Sequence, residues 1–114
     1  MSKVSVIGAG NVGATAVYYI AEKNLADIVM VDVVEGLAAS KALDYQHAAP
    51  LRGYSIQITG TTDYAAIEGS EVVVITAGVA RKPGMDRMDL LKTNVGIAKT
   101  AAQAIARHAP EAVV

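Results

Sequence analysis

Val4-Ser-Val-Ile-Gly8-Ala-Gly10-Asn-Val-Gly13 is the stretch whose reading decides this chain. Val4 to Ile7 is a short run rich in β-branched residues, the pattern of a strand buried on both faces. Val12 to Lys23 then reads as a helix, with Val12, Ala16 and Ile20 on one face. Between them Gly8, Ala9, Gly10, Asn11, Val12 and Gly13 fit G-x-G-x-x-G. The motif alone is weak, because glycine is common in turns. Its context strengthens it: a strand precedes it, a helix follows, and Asp32 comes nineteen residues after Gly13, at the end of the next strand. Gly8 allows a tight turn, Gly10 lets a pyrophosphate reach the backbone, and Gly13 lets helix and strand pack closely. The helix N-terminus adds free N–H donors and partial positive charge. Asp32 would accept hydrogen bonds from an adenosine ribose and repel a 2′-phosphate, which favours NAD over NADP. The structural alternative is a plain turn with a capping or solvated acid. No G-x-x-x-x-G-K-[ST] occurs.

Further strands are expected at Ile28 to Val33, Ser55 to Thr59 and Val72 to Thr76, the alternating Ser55 run suiting an outer, half-covered position. Leu37 to His47 reads as a second helix, closed by Ala-Ala-Pro50. Asp63 to Glu68 reads as a short helix capped by Asp63 or Thr62 and stopped at Gly69. The longest helix is expected from about Asp86 to His108, with an apolar stripe of Leu91, Val95, Ala98, Ala102, Ile105 and Ala109. Ala112 to Val114 looks like a fifth strand begun. Alternating strands and helices imply an α/β fold of Rossmann type, with a mainly parallel sheet in the order 3-2-1-4. An ending inside a strand suggests a truncated domain, so residues 1–114 are expected to be an incomplete NAD-binding domain.

The composition excludes several classes. The 114 residues suffice for one small domain, and 53% hydrophobic content gives it a core. Mean hydropathy is +0.35, raised by the Val- and Ile-rich runs. Ten basic against eleven acidic residues leave a net charge of −1, which argues against nucleic-acid or anionic-membrane binding. The absence of cysteine excludes disulfides and thiolate metal sites, and two histidines, His47 and His108, make a metal site improbable. Neither a secretory signal nor a membrane span is evident, so a soluble, cytoplasmic protein is expected.

A second motif follows the fourth strand. Ala77-Gly-Val-Ala-Arg81-Lys-Pro-Gly-Met-Asp-Arg87 leaves the carboxyl end of a central strand, where open α/β sheets bind ligands. Two arginines six residues apart suggest capture of an anionic substrate, since the guanidinium fork can grip a carboxylate with two hydrogen bonds. A solvated surface loop is the alternative. This stretch, with Asp89-Leu90, Asn94, the glycine loop and Val31-Asp-Val-Val-Glu-Gly36, resembles the lactate-dehydrogenase-like branch of malate dehydrogenases. The similarity spans the whole chain but about the first third of such an enzyme.

The resemblance implies reversible, NAD-dependent oxidation of malate to oxaloacetate, a step of the tricarboxylic acid cycle. It assigns Arg81 to the distal carboxylate of the dicarboxylate substrate, where lactate dehydrogenases typically carry Gln. It assigns Arg87 to the substrate carbonyl, whose developing charge an arginine stabilises, and Asn94 to a cofactor contact. A homodimer or homotetramer is implied for the complete enzyme. The family's proton-relay His and Asp, its second carboxylate-binding arginine and the rest of its catalytic domain would lie beyond Val114. Neither His47 nor His108 is a convincing substitute, so these residues alone are expected to be inactive. The rivals are a lactate or other 2-hydroxy-acid dehydrogenase, and a non-catalytic NAD-binding module.

Overall fold

A computed structural model describes residues 2–79 and 82–114. Four parallel strands, β1 (Lys3–Ile7), β2 (Asp27–Val31), β3 (Ile58–Thr61) and β4 (Val72–Ile75), form one sheet in the order β3-β2-β1-β4. The expected order is therefore the observed one. Val113 forms a single parallel bridge to Val72, against the edge of β4. Among the described residues, no helix is long and apolar enough to cross a membrane.

Successive strand residues face opposite sides, and both sides are covered. Val6, Ile28, Met30 and Ile58 pack against Val17 and Ala21 of α1 (Asn11–Glu22) and Ala38 and Ala42 of α2 (Leu37–Arg52). Ile7, Val29, Val31 and Val73 pack against Ala101 and Ile105 of α3 (Arg87–His108) and Ile67 of a 3₁₀ turn, Tyr64–Ile67. Two serines lie buried in this second layer. The Ser70 hydroxyl donates to Ile67 O at 2.6 Å and lies 2.6 Å from the Ser5 hydroxyl, so both find partners.

Several boundaries and faces differ from expectation. β2 ends at Val31 rather than Val33, because the Asp32 carboxylate takes the Val34 N–H at 2.9 Å and turns the chain out. β3 starts at Ile58 rather than Ser55. The alternation from Tyr54 to Ile58 is real in burial, but the amides of Ser55 and Gln57 go to the side chains of Asn24 and Asp27. α2 continues past His47 and through Pro50 to Arg52, ending on Gly53 in the left-handed region. Pro50 has no N–H to give to Gln46 O, and two residues later the helix stops, the Gly53 N–H closing on Ala49 O at 2.8 Å. Asp63 caps the 3₁₀ turn by accepting from Ala65 N–H.

The helix faces are the larger correction. α1 buries Gly13, Ala14, Val17 and Ala21, while Val12 is 72% exposed. α3 buries Ala101 and Ile105, and Leu91 and Val95 face outward along with Ala98 and Ala102. On α1 mainly small residues meet the sheet, since close approach of a helix backbone favours a small contact side chain, whereas on α3 Ile105 and, at its C-cap, Ala109 of the expected stripe are buried together with Ala101.

Candidate dinucleotide cleft

The carboxyl ends of β1, β2 and β4 open into a cleft of about 650 Å³. Gly8 and Gly10 line it from the turn after β1, Asp32 from the end of β2, and Thr76, Ala77, Gly78 and Val79 from the segment after β4. The turn is possible because Gly8 has φ +108°, a conformation that residues with a side chain rarely adopt. Gly13 is required by contact: a Cβ there would lie 1.9 Å from Gly8 O. Over Gly10, by contrast, a Cβ would meet nothing within 4 Å. That open space, at the N-cap of a helix without side-chain cap or acidic residue in its first turn, suits a phosphate group.

Asp32 is held in place by the backbone. Its Oδ2 accepts the Ala9 N–H at 2.7 Å and its Oδ1 the Val34 N–H at 2.9 Å. Each carboxylate oxygen keeps a second lone pair for a ribose hydroxyl. Ala9 is fully buried beneath the turn, whereas Asn11 and Val12, in the first turn of α1, are exposed.

Asn94, on α3, pins the segment leaving β4. Its Oδ1 accepts the Val79 N–H at 2.8 Å, and its Nδ2 donates to Val79 O at 3.4 Å. Arg87 is the first residue of α3 and is exposed; it does not line the cleft. Arg81, with Ala80, lies outside the described residues. His47, exposed on α2, and His108, at the end of α3, also stand apart from the cleft lining.

Tyr64 and Thr76 are among the lining residues that escape sequence reasoning. Tyr64 projects from the 3₁₀ turn, and partial burial, then the negative charge of Asp32, hold its hydroxyl pKa above the ordinary value. Thr76, the residue after β4, touches the glycine turn itself. An aromatic at a local helix and a threonine following a strand carry no signal until the fold brings them to the cleft.

Residues 2–114 match the family model described as lactate/malate dehydrogenase, NAD binding domain. A malate dehydrogenase of Desulforudis audaxviator is 56% identical over 112 residues, which cover 98% of this chain and 36% of that relative. The apo malate dehydrogenase of Picrophilus torridus superposes with a TM-score of 0.93 at 49% identity, covering 97% of this chain and 36% of the other. The malate dehydrogenase of Archaeoglobus fulgidus in complex with NADH gives 0.90 at 43%, covering 96% of this chain and 38% of the other. The chain thus spans little more than a third of the length of these relatives. NAD is the cofactor of this domain, and the chain belongs to the lactate/malate dehydrogenase NAD-binding domain family.

Proposed function

We propose that the protein carrying this chain is an NAD-dependent malate dehydrogenase, interconverting malate and oxaloacetate. The observation that carries the reading is the cleft geometry: Gly8, Gly10 and Asp32 face the segment Thr76 to Val79, which runs directly into the stretch bearing Arg81 and Arg87. When bound, NAD supplies the hydride acceptor and donor. The amides at the start of α1 hold its pyrophosphate, and Asp32 takes the adenosine ribose. Asn94, by fixing Val79, sets the cleft wall against which the cofactor lies. Arg81 pairs with the distal carboxylate of the substrate, and Arg87 polarises the carbonyl that gains negative charge.

The position of Arg87 supports a binding role. A cation in the first helical turn opposes the helix dipole, and it is tolerated because Asp86 and Asp89 form a capping box around it. A substrate carboxylate or developing alkoxide would relieve the same conflict. We further propose that the proton donor, the second carboxylate-binding arginine and the catalytic domain come from chain outside these 114 residues, in keeping with the length of the relatives. The complete enzyme would be a cytoplasmic homodimer or homotetramer, a state that sedimentation would reveal.

Oxidation of NADH with oxaloacetate and with pyruvate, in the protein as its source makes it, tests the reading. Oxaloacetate is expected to be turned over at least about a hundredfold faster, since a carboxylate left without its cation, or a cation without its anion, costs roughly 3 kcal/mol. Arg81→Gln is expected to narrow that ratio. An equal rate with pyruvate would overturn the substrate assignment.

A further inference from the structure

The peptide unit joining Gly8 to Ala9 is held at both of its polar ends by side chains from different strands. Its N–H, on Ala9, donates to Asp32 Oδ2 at 2.7 Å, from the end of β2. Its carbonyl, on Gly8, lies 3.3 Å from the hydroxyl of Thr76, the residue after β4. The same hydroxyl is 3.3 Å from Ile7 O, which also accepts the Thr76 amide at 2.9 Å. A carbonyl oxygen has two lone pairs, so the hydroxyl hydrogen is shared between Gly8 O and Ile7 O. β2 and β4 flank β1 on opposite sides, so the turn is gripped across the whole width of the site.

Glycine at position 8 makes such a grip necessary. At φ +108° the Gly8 backbone has the freedom to rotate the following peptide plane, and with it the amides that lead into α1. Thr76 also fills the corner between the two glycines. Its Oγ1 would lie 2.7 Å from a Cβ on Gly8 and 2.6 Å from one on Gly13. The fully buried methyl of Ala9 anchors the far side.

We propose that Thr76 is a positioning residue for cofactor binding: with Asp32 it clamps the Gly8–Ala9 peptide and presents the phosphate turn already in its binding shape. The inference rests on the dinucleotide reading of the cleft. A turn ordered beforehand loses less freedom when ligand arrives, so the clamp acts on affinity rather than on the chemical step. It also links the two halves of cofactor recognition, because the carboxylate that meets the ribose is the one that orients the phosphate turn.

The test is titration of NADH, followed by nicotinamide fluorescence, into the unaltered protein, Thr76→Val and Thr76→Ser. Val keeps the shape and removes the donor; Ser keeps the donor. Thr76→Val is expected to bind NADH roughly three- to tenfold more weakly, the value of one hydrogen bond, with Thr76→Ser within about twofold of the unaltered protein. Affinity is read on folded molecules, so a purely structural role would lower the melting temperature and leave it unmoved. If Thr76→Val does not fold, Thr76→Ala against Thr76→Ser makes the same comparison. Equal affinity in Thr76→Val, or a Ser variant as weak as the Val variant, overturns the clamp while the cofactor site stands. Absence of NADH binding in the unaltered protein overturns the site and the clamp together.

Discussion

Gly13 and Asp32 show how much one position can determine. A Cβ at Gly13 has nowhere to go, with Gly8 O at 1.9 Å, so helix and turn must separate to admit it. Gly13→Ala is expected to cost about 2–3 kcal/mol as overpacking against backbone, read as a fall in the midpoint of denaturant unfolding. Asp32→Ser removes the anchor of Ala9 N–H and, on the proposed function, the acceptor for the ribose. NADH affinity is expected to fall about tenfold, the scale of a charge-assisted hydrogen bond, and the preference for NADH over NADPH to narrow. An unchanged preference would count against the ribose contact. These residues are legible in a bare sequence because their chemistry is that of the backbone they serve. Thr76 is not legible, since its partner Gly8 lies 68 residues earlier and only the parallel sheet brings them together.

Among the elements, the strands and the order of helices follow from apolar runs and glycine punctuation, but the buried face of α1 and that of the first part of α3 do not. The sheet selected Ala14, Val17 and Ala21 on α1, and on α3 and its C-cap it kept only Ile105 and Ala109 of the expected stripe and added Ala101. Periodicity alone cannot separate two neighbouring stripes of similar spacing when the contact favours small side chains. Ile105 is 7% exposed, and Ile105→Ala is expected to cost about 2–4 kcal/mol by leaving a cavity beneath the helix, measured by denaturant unfolding. α1 and α2 are tied at their ends by Glu22 and Arg52, with Arg52 Nε 2.5 Å from Glu22 Oε1. The hydrogen bond from Arg52, then that from Tyr18, holds the Glu22 carboxyl below the usual carboxylate range. A lowered folded value means that the pair's contribution is complete above the unfolded value of about 4.3 and disappears as pH falls through the folded one. The stability difference between the unaltered protein and Glu22→Gln, small because the pair is exposed, is expected to vanish at acid pH.

For the whole molecule, the order β3-β2-β1-β4 is the consequence that matters, because it sets the carboxyl ends of three strands around one cleft. Right-handed crossovers and short connections leave few alternatives once the strands are recognised, so the architecture was readable without coordinates. The fit of the arginine stretch to the cleft was readable only as sequence: Arg81 lies outside the described residues and Arg87 stands exposed at the start of α3. The central claim, that the turn, helix and acid form an NAD site selective against a 2′-phosphate, is met most directly by one titration. NADH and NADPH are added in parallel to the unaltered protein and nicotinamide fluorescence is followed to saturation. The account predicts saturable NADH binding at least about tenfold tighter than NADPH, since a 2′-phosphate would face the Asp32 carboxylate. Equal binding of the two, or none of NADH, would contradict it.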